Sequence, residues 1–86
     1  MSLSRYLVLT RRTADFEPAV LAPHRAFLAA LRAQGRIELS GPFTDGSGGA
    51  YLLRAESLER ARELVAADPL AISAAASISV HEWTAT

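Results

Sequence analysis

The stretch "RIELSGPFTDGSGGAYLLRAE", Arg36 to Glu56, decides the fold. Two short runs of strand-forming residues, near 36–40 and 49–55, flank a cluster of Gly, Pro, Asp and Ser, which is the signature of a β-hairpin. The "GPFTDGSGG" between them has neither the Gly-Lys-Ser/Thr ending nor the following helix of a phosphate-binding loop, so it reads as the hairpin turn.

Upstream of the hairpin lies "APHRAFLAALRAQG", whose Phe27, Leu28 and Leu31 fall on one face of a helix predicted over 23–34. Pro23 suits the first turn, where its missing N–H does no harm, and Gly35 suits the cap at the other end. Residues 3–10, "LSRYLVLT", are too short for a helix here and rich in Tyr, Val and Leu; they read as a first strand, apolar on both faces. The two prolines of "RRTADFEPAVLAP" mark an irregular connection. Downstream, Ser57 is placed to cap a helix over about 58–67 with Leu58, Ala61, Leu64 and Val65 on its inner face. Asp68-Pro69 ends that helix, and the alternating "SISVHEW" at 77–83 forms a last strand.

The order β-α-β-β-α-β, with short connections and right-handed crossovers, predicts an α+β, ferredoxin-like domain over residues 1–86: a four-stranded antiparallel sheet with two helices on one face. A sheet face open to water alternates apolar and polar residues, and the first strand does not. A partner is therefore expected on the other face, most simply a second copy of the chain in a homodimer.

With 86 residues, half of them hydrophobic and 21% charged, the chain is a small globular domain that buries about 60–65% of its unfolded surface. No apolar run approaches the roughly 18 residues of a membrane span, and the first residues lack the pattern of a secretory signal, so the expected location is the cytoplasm. Nine basic residues balance nine acidic ones, and only Arg11-Arg12 are adjacent, which is no footprint for nucleic acid. Every basic residue is Arg, which excludes a Schiff-base lysine; the lack of Cys excludes thiolate chemistry and cysteine-bound zinc. Two histidines and scattered acids have no metal-ligand spacing, so neither metal nor cofactor is expected. No serine sits in a nucleophile-elbow motif. His81 and Trp83 share one face of the last strand, where packing at an interface is the simpler reading for the tryptophan.

His24 remains as the residue able to do chemistry. In the first turn of its helix, the positive dipole end favours a neutral ring that can act as base. The same position also suits a packed core histidine. Asp68 follows the inner face of the second helix, and it either caps a short helix at 69–73 or faces a histidine across the helix gap. As a pair, a carboxylate that orients an imidazole makes a competent general acid/base.

His24 with Gly35 eleven residues on, "GRIELSGP" at 35–42, "ESLERARELVAADP" at 56–69 and "ISVHEW" at 78–83 together resemble the YCII-related (YciI-like) family of the dimeric α/β-barrel, ferredoxin-like group. The resemblance covers nearly the whole chain. It implies a homodimer whose sheets pack together, with a pocket beside His24 and Asp68, which match the family's proposed catalytic residues. The chain departs from the family pattern in Pro23 before the histidine, Leu70 where an aromatic is usual after Asp-Pro, and Glu82 where proline often precedes the final aromatic.

The expected function is a cofactor-independent lyase or isomerase acting on a small organic molecule, with His24 as general base, Asp68 as its orienting partner, and Ser40, Gly41 and Pro42 as the substrate-binding rim. The alternative is a non-catalytic dimeric ligand-binding or accessory module, in which the His24–Asp68 contact is a structural hydrogen bond worth about 1–3 kcal/mol.

Overall fold

The computed structural model describes residues 3–86; Met1 and Ser2, counted in the single domain expected from the sequence, lie outside the described residues. In chain order the elements are β1 (Ser4–Arg12), a 3-10 turn (Pro18–Val20), α1 (Leu21–Ala33), β2 (Ile37–Pro42), β3 (Gly48–Ala55), α2 (Leu58–Ala66), the short α3 (Pro69–Ile72) and β4 (Ala76–Glu82). The strands form one sheet in the order β2-β3-β1-β4, and every neighbouring pair is antiparallel. This is the ferredoxin-like α+β arrangement, with α3 added between α2 and the last strand. Among the described residues no helix is long and apolar enough to cross a membrane.

Local chemistry explains where the elements begin and end. The β2–β3 turn closes with Gly46 at φ 76, a conformation that suits glycine. The Asp45 carboxylate accepts from the Ser47 hydroxyl at 2.6 Å and its backbone N–H at 2.9 Å, bonds that hold Asp45 below its ordinary carboxylate range. At the start of α2, Ser57 Oγ accepts from the Arg60 N–H at 3.0 Å. Helix α1 starts two residues before the expected Pro23, because the 3-10 turn opened by Pro18 already holds helical dihedrals and runs straight into it. Pro23 still falls in the first turn, where no intrahelical donor is lost. Strand β2 continues to Pro42, which an edge strand tolerates.

Register assigns the two faces of the sheet. Tyr6, Val8, Tyr51, Leu53 and Ala55 point toward the helices and are buried against Leu28 and Leu31 of α1 and Ala61 and Val65 of α2. Ile78 and Val80 of β4, paired with Thr10 and Val8, pack on this same core. The opposite face carries Leu7 and Leu9 of β1, Leu52 of β3, Leu39 of β2 and His81 of β4. On this face Leu39 of the edge strand is 70% exposed and Leu7 and Leu9 are part-exposed, while Leu52 is buried.

Gly48 and Gly49 let the strands approach. A Cβ on Gly48 would overlap the Thr10 carbonyl oxygen, and one on Gly49 would sit 2.6 Å from the Gly41 carbonyl oxygen. Gly41 itself has nothing within 4 Å of that position. Gly48→Ala is therefore expected to cost at least about 2 kcal/mol in denaturant unfolding, and Gly41→Ala no more than about 0.5 kcal/mol. Equal effects would contradict the close-approach argument.

Candidate functional site

The site is built around a carboxylate that the fold removes from water. Asp68 is 0% exposed, and its side chain caps α3. Its Oδ1 accepts from the Leu70 N–H at 2.9 Å and from His24 Nδ1 at 2.8 Å, while Oδ2 accepts from the Tyr51 hydroxyl at 3.0 Å. The two readings of Asp68 left open by the sequence are thus both realised in one side chain: it caps the short helix and it faces the histidine. A buried charge persists only when its lone pairs find donors, and here three elements supply them.

The arrangement fixes the histidine tautomer. An ionised carboxylate only accepts, so Nδ1 of His24 carries the proton it donates, and Nε2 is left with a lone pair in the neutral ring. The His24 side chain is 14% exposed and forms part of the wall of a cavity of about 320 Å³. Asp68 lies behind that wall, not on it. Position 24 in the first turn of α1 and position 68 after α2 are 44 residues apart, and the two helices lying on one sheet face bring them together.

Ser40, Gly41 and Pro42 line the same cavity, as do Thr10 and Gly49. The Ser40 hydroxyl accepts from the Arg32 guanidinium at 2.8 Å, which ties the end of β2 to α1. Thr10 is buried and exchanges hydrogen bonds with the backbone of Gly49, its Oγ1 accepting at 3.0 Å and donating at 3.2 Å. His81 and Trp83 do not line the cavity; His81 lies on the opposite face of the sheet. Among the described residues no three His, Asp or Glu side chains stand close enough to hold a metal ion.

Tyr51 is the residue that sequence reasoning missed. The available signal was that Tyr51 and Leu53 share a side of their strand and that a buried tyrosine needs a partner for its hydroxyl. In the structure it is 2% exposed, with its ring centroid 6.3 Å from that of His24. Burial above all, and then the charge of Asp68 and the hydrogen bond to it, push Tyr51 well above the ordinary phenol value of 10.0. The neutral hydroxyl donates to Asp68. Arg12, Phe16 and Arg25 also line the cavity and were not singled out from the sequence.

A family model described as the YCII-related domain matches residues 4–84. The uncharacterized protein YjpA of Bacillus subtilis (strain 168) is 45% identical over 78 residues, covering 91% of this chain and 92% of that protein. Among solved structures, the chain resembles 5-chloro-2-hydroxyhydroquinone dehydrochlorinase (TftG) from Burkholderia phenoliruptrix AC1100 in complex with 2,5-dihydroxybenzoquinone. That match has a TM-score of 0.76 at 20% identity and covers 95% of each chain, a likeness of fold.

Replacing the Tyr51 hydroxyl leaves a buried carboxylate oxygen short of a donor, so Tyr51→Phe is expected to lose about 1.5–3 kcal/mol at neutral pH. Because the folded protein favours the neutral phenol, this contribution is complete below 10.0 and is lost as pH rises above it. Unfolding measured across alkaline pH should show the gap between wild type and Tyr51→Phe narrowing there. A constant gap would contradict a phenol held neutral by burial and by Asp68.

Proposed function

The chain belongs to the YCII-related family, and we propose that it is a small-molecule enzyme in which His24 is the general base and Asp68 its positioning partner. The observation that carries this reading is the 2.8 Å contact between His24 Nδ1 and Asp68 Oδ1 at the wall of the cavity. With Nδ1 committed to the carboxylate, Nε2 accepts a proton from a C–H or O–H of the bound molecule. The imidazolium so formed lies against the Asp68 charge, which lowers the cost of forming it.

Two outcomes follow from that proton transfer. In an elimination, the electron pair of the broken C–H bond becomes a double bond and the leaving group departs with its own pair, a net loss of HX. In an isomerisation, His24 returns the proton to a different atom of the same molecule. The dehydrochlorinase that shares this fold carries out a loss of HCl by its name, which favours testing the elimination first. Ser40, Gly41 and Pro42 form the rim that positions the substrate, Ser40 held by Arg32.

The working unit in this reading is a homodimer through the sheet face opposite the helices. Leu7, Leu9, Leu39 and Leu52 make that face apolar, and a two-fold axis across its centre would cover the same residues of both copies. Light scattering is expected to give twice the chain mass of 9.2 kDa, and Leu39→Glu to shift the protein to monomer. A clean wild-type monomer at micromolar concentration would contradict it.

The catalytic reading is tested with 5-chloro-2-hydroxyhydroquinone and a panel of small enolisable acids and lactones in heavy water, following halide release and deuterium incorporation. His24→Ala is expected to abolish turnover with the fold and dimer intact. Asp68→Asn is expected to lower kcat between about a hundredfold and ten-thousandfold, since it removes the charge that stabilises the imidazolium. Full activity in His24→Ala would remove the histidine from the mechanism. A large drop in melting temperature with Asp68→Asn and no turnover of any substrate would favour the non-catalytic binding module.

A further inference from the structure

The guanidinium groups of the chain are unequally occupied. Arg5, Arg36, Arg54 and Arg60 pair with Glu38, Glu56 or Glu63, and Arg32 donates to Ser40. Arg12 and Arg25 line the cavity beside His24, and among the described residues neither has a carboxylate within ion-pairing distance. Arg12 is also held in place, its guanidinium carbon 4.1 Å from the centre of the Phe16 ring.

No Asp or Glu lines this cavity. Asp68 is fully buried behind His24 and already accepts from three donors. Two guanidiniums and, among the described residues, no carboxylate on the wall leave the cavity lining positively charged. The remaining wall includes Phe16, Leu21, Leu28 and Leu70, which suit a hydrocarbon body. A volume of about 320 Å³ is at the small end for ligand sites, fit for one ring or a short chain.

We propose that the cavity takes a small organic anion, a carboxylate or an enolate-type oxyanion on a compact apolar body, with Arg12 and Arg25 as its charge-recognising residues. This rests on the reading of the cavity as the site of His24 chemistry and names its substrate class. The planar guanidinium fork matches the two oxygens of a carboxylate. The same positive charge stabilises negative charge that develops on the substrate when His24 removes a proton. Both arginines are solvent-exposed, so the attraction weakens as salt rises.

The test uses benzoate and its neutral isostere benzamide as probes, with binding to the full chain followed by amide chemical shifts in NMR and by calorimetry at neutral pH. Benzoate is expected to shift cavity amides such as Gly49, Ala50 and Leu70 and to bind at least about tenfold more tightly than benzamide. Arg12→Gln and Arg25→Gln are each expected to weaken benzoate, Arg12→Gln by about tenfold, with little effect on benzamide. The proposal is overturned if benzamide binds as well as benzoate, if benzoate perturbs no cavity amide, or if both substitutions leave benzoate affinity unchanged. Binding is read without turnover, so the two claims fail separately. Charge-selective binding with no His24-dependent catalysis supports the anion site and sinks the base; catalysis with no charge selectivity does the reverse.

Discussion

The Asp68 carboxylate, withdrawn from water and satisfied by donors from α1, β3 and α3, is the constraint on which the rest of the site depends. Taking such a charge out of water costs several kcal/mol, and breaking one of its contacts leaves part of that cost unmet. The carboxylate therefore requires the first turn of α1, the middle of β3 and the start of α3 to meet at one point. The same demand that makes the group expensive makes the geometry specific. His24 is consequently held by Nδ1 in the wall of the cavity.

The scaffold that brings these elements together depends on close backbone approach as much as on apolar burial. Gly48 and Gly49 bring β3 against β1 and β2 where side chains would not fit, and the same two glycines line the cavity. On the helix side, Tyr6, Val8 and Leu53 fill the core, while Tyr51 ends that row with a polar group aimed at Asp68. The sheet thus grades from core to cavity along β3. The other face carries Leu7, Leu9 and Leu39, whose side chains do not line the cavity.

Most of the fold was legible because its signals are local. The Gly-rich turn between two strand-forming runs, Ser57 before α2 and Gly35 after α1, at φ 75, each set a boundary through the chemistry of one or two residues. The start of α1 was misplaced by two residues because Pro18 continues into a helix through a 3-10 turn, a choice that a proline alone does not reveal. His24 and Asp68 stood out as residue types, but their meeting depends on how two helices lie on the sheet, which no spacing encodes. Tyr51 was hidden for the same reason: strand alternation gives two faces and does not say which is inside. Arg12 and Arg25 were invisible as a pair, since one ends a strand and the other sits in a helix.

The most direct test is the position of the ring proton of His24, read from long-range proton–nitrogen correlations in the ligand-free protein at a pH where the ring is neutral, with the signal assigned by comparison with a His81→Gln variant. A buried, ionised Asp68 requires the proton on Nδ1 and an unprotonated Nε2. That single tautomer is the predicted result. A proton on Nε2, or an even mixture of the two forms, would mean that the carboxylate does not orient the ring, and the account of the site would fail.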